Sequence, residues 1–82
     1  MPSIDPPRYQ RVINDLRERI AAGEFRSDDP EEDGKLPSTS ALVDHYKFSR
    51  ETIRQAITRM ILLGELRGEQ GAGVYIERRP SS

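Results

Sequence analysis

The 82-residue sequence has no cysteine, no tryptophan and a single histidine, His45. Without cysteine there is no disulfide, no thiolate nucleophile and no cysteine-bound zinc, and one imidazole cannot assemble the usual histidine cluster around a metal. Neither a metal nor a cofactor is expected. Long apolar runs are missing too: Met60-Ile61-Leu62-Leu63 is the longest stretch of large apolar residues, against the ~20 residues needed to span a bilayer. The first nine residues carry three prolines and no apolar stretch, which does not fit a signal peptide. A cysteine-free chain with no membrane span suits a reducing compartment, so the cytoplasm is the expected location. Serines are plentiful, but no second histidine or nucleophile elbow accompanies them, and no enzyme activity is expected.

What is there is enough for one small domain. A chain of this size buries only about 60% of the surface its unfolded form exposes, so its stability should be modest. The net charge of -1 conceals an uneven distribution. Residues 1–34 hold five Arg against nine Asp and Glu, a balance of -4, while residues 35–82 hold eight Lys and Arg against five acids, a balance of +3. Attraction to phosphate depends on the local patch more than on the total, so the basic half can serve as a nucleic-acid face. The weak overall charge predicts low non-specific affinity.

The pattern divides the chain into a proline-rich lead over 1–8, an ordered domain over 9–77 and the start of a linker over 78–82. Tyr9, Val12, Ile13, Leu16 and Ile20 make one apolar stripe at helical spacing, and Gly23 stops that helix. Residues 26–35 read as a solvated, mobile surface loop, because Asp28-Asp29-Pro30-Glu31-Glu32-Asp33 sets five acids around a proline with nothing to bury. They lack the glycine and spacing of a calcium loop. Ser38 caps a short helix over Thr39–Tyr46 with Leu42, Val43 and Tyr46 as its apolar contacts. Lys47-Phe48 is the turn, and Ser49 caps a third helix that runs to about Leu63 before Gly64. Leu66 then starts a short strand, residues 68–73 turn, and Val74-Tyr75-Ile76 returns. Helix, turn, helix, hairpin is the order that lets one helix enter a DNA major groove with a hairpin beside it.

On the third helix, setting Ile53 to zero at 100° per residue places Ala56, Ile57, Met60 and Ile61 within about 80° of it. Arg54, Thr58, Glu51, Gln55, Arg59 and Thr52 fill the opposite arc, from about 100° to 260°. Any amphipathic surface helix divides this way. A solvated face is usually rich in Glu and Lys, however, whereas Arg, Gln and Thr suit base edges and phosphate oxygens. Arg50, Glu51 and Thr52 fall on the first turn, where a recognition helix meets bases and free N–H groups attract phosphate. Two readings of Glu51 stand side by side: a specificity filter that accepts from cytosine, or stabilisation of the helix N-terminus. Ile53, Ile57, Met60, Leu16 and Ile20 are the expected core, with no apolar face left over. This chain alone is therefore expected to be a monomer that binds a half-site weakly.

Taken together, Tyr9…Ile13…Leu16…Ile20…Gly23, Leu36-Pro37-Ser38, Ser49-Arg50-Glu51-Thr52-Ile53-Arg54-Gln55-Ala56-Ile57, Gly64 and Gly71-Ala72-Gly73-Val74-Tyr75-Ile76 span nearly the whole chain. This series resembles the N-terminal winged helix-turn-helix domain of GntR-family bacterial transcription regulators. The resemblance implies an α+β fold: three helices followed by a two-stranded β-hairpin wing. It implies sequence-specific binding of double-stranded DNA at a palindromic operator, as a homodimer in the full-length protein, for transcription regulation and most simply repression. A small-molecule effector would bind a C-terminal domain beyond this chain.

Together with the polar arc and the helix starts, the resemblance makes Ser38, Ser40, Ser49, Arg50, Glu51, Thr52, Arg54, Gln55 and Gly71 the candidate DNA contacts. Three features depart from the family pattern. Thr39-Ser40 stands where Glu-Arg is common, replacing a basic phosphate contact with a hydroxyl. Ala72 stands where Arg is frequent at the wing tip, with Glu69 nearby, and the acidic loop is longer than the usual connection. The acidic half, Glu51, Glu69 and Ala72 support a rival reading, a winged helix used as a protein-interaction module.

Overall fold

A computed structural model describes residues 7–77, so most of the proline-rich lead and the linker start lie outside the described residues. Three helices, α1 (Arg8–Ala21), α2 (Thr39–Tyr46) and α3 (Arg50–Leu62), precede a hairpin of β1 (Leu66–Glu69) and β2 (Gly73–Ile76). Arg8, assigned from the sequence to the lead, is the first residue of α1. Pro7 caps that helix without a side-chain bond, its carbonyl accepting from the Gln10 and Arg11 N–H groups. At the far end the Glu24 N–H closes back on the Arg19 carbonyl.

The α1 stripe packs against α3. Val12, Leu16, Ile53, Ala56 and Met60 are fully buried, and Ile13, Phe25, Leu36, Leu42 and Leu66 complete the core. Two expected core residues, Ile20 and Ile57, are only partly buried at its margin. The end of α3 departs further from expectation. Ile61 is 38% exposed, Leu62 80% and Leu63 63%, so an apolar patch does remain on the surface. Helical phase explains this: Leu62 lies half a turn from Ile53 and Leu63 at its flank, away from the buried face of α3.

The loop is exposed over 26–32, and its backbone is held by local hydrogen bonds. Asp33 Oδ1 accepts from the Ser27 N–H at 2.9 Å, Ser27 Oγ from Asp29, and Asp29 Oδ1 from Glu31. These short polar side chains satisfy local backbone donors, which a charge count cannot reveal. The loop also ends on the hairpin. The Gly34 N–H donates to the Phe25 carbonyl, the Ile76 N–H to Gly34 and the Leu36 N–H to Val74, each at 2.8 Å. Lys35 bridges to Tyr75, and the Tyr75 hydroxyl donates to the Glu31 carbonyl at 3.2 Å. Residues 34–36 thus run along the second side of β2.

Within the hairpin Leu66 pairs with Ile76 and Glu69 with Gly73, leaving Gln70-Gly71-Ala72 as the tip. Gly73 has φ +125°, and a Cβ there would lie 3.3 Å from Lys35 Cε. The backbone conformation is what favours glycine at that position, since Lys35 Cε, near the end of a flexible side chain, can give way. Between α2 and α3 the chain turns at Lys47, which adopts a left-handed φ of 61°, a conformation that costs a non-glycine residue about 1 kcal/mol.

Two polar links fix α1. Arg17 donates from Nε and Nη2 to the two Glu65 carboxylate oxygens at 2.7 and 2.6 Å, joining α1 to the turn before β1 and holding the Glu65 carboxyl below its usual range. Tyr46, at the end of α2, donates to Asp15 Oδ2 at 2.5 Å and accepts from Arg19 Nη1 at 3.2 Å. Burial, and then the bond to Asp15, push the Tyr46 hydroxyl up to about 12.

Replacing the fully buried Ile53 with Ala should cost about 2–5 kcal/mol, a large share of a small domain's stability. Ile57→Ala at the margin should cost clearly less, and Leu62→Ala close to nothing. Thermal melts of the three variants test this ranking, which an equal loss at Ile57 and Ile53 would overturn. Because folding raises the Tyr46 pKa, the tyrosine's contribution is intact below about pH 10, the ordinary tyrosine value, and fades as pH rises toward about 12. Denaturant titrations should show the parent losing stability relative to Tyr46→Phe across that window, and parallel curves would count against the linkage.

Candidate nucleic-acid interface

The site is built from the starts of α2 and α3. Ser38 Oγ accepts from the Ala41 N–H at 3.1 Å. At α3, Ser49 Oγ accepts from the Thr52 N–H at 3.2 Å and shares a hydrogen bond with Thr52 Oγ1 at 3.0 Å. Three of the candidate contacts, Ser38, Ser49 and Thr52, thus have hydroxyls engaged in helix capping. Such caps are worth roughly 1 kcal/mol each, so these residues carry a structural task whether or not they also meet a ligand.

The other candidates divide by their neighbours. Ser40, on the first turn of α2, and Arg50, the first residue of α3, are both exposed and joined by a bond from Arg50 Nη2 to Ser40 Oγ of 3.2 Å. Glu51, Arg54 and Gln55 are exposed along the outer side of α3, where with Thr58, Arg59 and Leu62 they line a shallow open depression. Arg59, assigned from the sequence to the polar arc, is turned toward α1, its guanidinium 4.4 Å from the centre of the Tyr9 ring. Gly71 stands at the exposed hairpin tip with φ +81° and open space around it. The fold therefore brings eight of the nine candidates together on the α2 and α3 starts and leaves Gly71 apart at the tip.

The electrostatics of the hairpin were not legible. Arg67 is its one cation among the described residues, and its Nε lies 2.6 Å from a Glu69 carboxylate oxygen while Nη1 approaches Glu77 at 3.8 Å. Beside it, Glu31, Glu32, Asp33 and Lys35 share an open depression with Arg67 and Glu69. Carboxylates thus dominate the hairpin flank, whereas Arg50 and Arg54 carry the charge at the start of α3. Residues 31 and 69 are far apart in sequence, and only the pairing of 34–36 with β2 brings them side by side. Among the described residues no acidic or histidine group is arranged to hold a metal ion, and no helix is long and apolar enough to cross a membrane.

Comparison with known proteins assigns this arrangement. The family model described as "Bacterial regulatory proteins, gntR family" matches residues 8–76. The mannosyl-D-glycerate transport/metabolism system repressor MngR of Escherichia coli (strain K12) is 35% identical over 71 residues, which are 87% of this chain and 28% of that protein. The transcriptional repressor NagR of Bacillus subtilis (strain 168) is 29% identical over 72 residues, 88% of this chain and 28% of its own length. The chain thus spans little more than a quarter of the length of these relatives. Among solved structures, AraR(DBD) in complex with operator ORR3 superposes with a TM-score of 0.76 at 28% identity, covering 93% of this chain and 86% of that one. With three helices, a two-stranded antiparallel wing and a family match running from the first residue of α1 to the last of β2, the chain belongs to the gntR family of bacterial regulatory proteins.

Proposed function

We propose that this chain binds double-stranded DNA sequence-specifically, with α3 in the major groove, and serves transcription regulation as a repressor in the cytoplasm, without enzyme activity. The observation that carries the reading is the capped start of α3, from which Arg50, Glu51, Arg54 and Gln55 project into solvent while Ile53 and Ala56 on the opposite side are fully buried. A helix held on one face, with a free cationic and amide face at its N-terminal half, suits base edges and the phosphates beside them. The operator complex of AraR(DBD) supports the mode of binding, and the repressor names of MngR and NagR support the outcome. A palindromic operator, a homodimer in the longer protein and an effector-binding region outside this chain complete the proposal. Its site residues are the nine named from the sequence, with Ser38, Ser49 and Thr52 presenting backbone N–H groups of capped helix starts as much as hydroxyls and Ser40 bonded to Arg50.

A second reading, a winged helix that docks on another protein, is favoured by one observation: the carboxylate-rich flank around Arg67 disfavours phosphate at the wing. Salt separates the two. DNA binding should weaken linearly on logarithmic axes with rising salt, by a slope of about 0.9 for each phosphate neutralised.

Against a duplex selected from a random pool, Arg54→Ala should lose about 1–3 kcal/mol of binding, with a change of base preference at one position. Titrations at several salt concentrations check both points. Parent-like binding by a folded Arg54→Ala, or affinity indifferent to salt, would sink the DNA reading.

A further inference from the structure

We infer that Ser40 is a positioning residue, which holds the Arg50 guanidinium over a DNA phosphate rather than touching DNA itself. The inference rests on the DNA-binding reading and deepens it. Three serines stand at the starts of α2 and α3, and two of them spend their hydroxyls on helix N–H groups. Ser40 does not cap; its Oγ accepts from Arg50 Nη2 across ten residues of sequence at 3.2 Å. That bond draws the guanidinium away from the axis of α3 and toward the first turn of α2. In a helix-turn-helix the first of the two helices crosses the sugar-phosphate backbone while the second enters the groove. Arg50 is therefore steered to the backbone side of the site, although it is the first residue of the recognition helix.

Arg54, one turn further along α3, has no hydrogen bond or ion pair among the described residues and stays free to reach base edges. Arg50 likewise makes no ion pair among the described residues, so its full charge is available. One of its five N–H donors is engaged by Ser40, and the planar fork still presents several to phosphate oxygens. Holding a long side chain in place before DNA arrives lowers the ordering cost of the contact. The hydroxyl at position 40 thereby assists a cation on α3 in a chain that has no arginine at this point of α2.

A double-mutant cycle tests this, using the full chain, fluorescence anisotropy, the selected duplex and a scrambled duplex of equal length. Ser40→Ala should weaken binding about two- to tenfold, by the same factor on both duplexes, and Ser40→Thr should restore it. Arg50→Ala should weaken both duplexes alike and make the salt slope shallower by about one. In the Arg50→Ala background, Ser40→Ala should change affinity no further. Equal factors for Ser40→Ala with and without Arg50 would overturn the inference by making Ser40 a direct contact. So would an altered base preference in Arg50→Ala, which would place that arginine on a base. A parent chain that binds neither duplex at low salt would reject the DNA-binding reading itself and the inference with it. Circular dichroism of each variant confirms that the fold is retained.

Discussion

The fold depends on one contact, the packing of α3 on α1 through Ile53, Ala56 and Met60 against Val12 and Leu16, all of them withdrawn from water. In a chain this short there is no second core to compensate for losing it. The contact also sets the roll of α3 about its own axis. Once Ile53 and Ala56 point inward, Arg54 and Gln55 have no direction left but outward. The recognition surface is thus determined by the core. A helix rotated by one residue would bury an arginine, at a cost no small domain can absorb.

Much of this was legible in the sequence because the relevant signals are local. Ser38 and Ser49 begin their helices as capping chemistry dictates, and the stripe from Tyr9 to Ile20 and the polar arc of α3 follow from helical period alone. What escaped was set by tertiary placement. Ile57 and Ile20 have the right phase but sit at the margin of the core, Ile61 to Leu63 continue an apolar run that stays on the surface, and Phe25 is buried although it follows the glycine that ends α1. The left-handed Lys47 had no sequence signal, since asparagine or glycine would be the usual occupant.

At the candidate site the residue types were readable but their engagements were not. Nothing in the sequence says that Ser40 faces Arg50, that Arg59 turns back on Tyr9 or that Arg67 is matched by Glu69. Each pairing depends on the angle between two elements. The acidic loop is the clearest instance: its composition spoke for disorder, but serine and aspartate side chains organise its backbone, and its far end joins the hairpin. Composition measures what a segment cannot bury; it does not measure which backbone donors its side chains can satisfy.

That junction changes the standing of β2. With β1 on one side and residues 34–36 on the other, β2 is an interior strand, and β1 forms an outer border of the ladder. Unpaired strand borders invite pairing between molecules, and charged side chains are the common deterrent. On β1 those charges are Arg67 and Glu69, both exposed and facing each other across Gly68. The ion pair that neutralises the wing's cation thus also guards a border at which two such domains could zip together edge to edge.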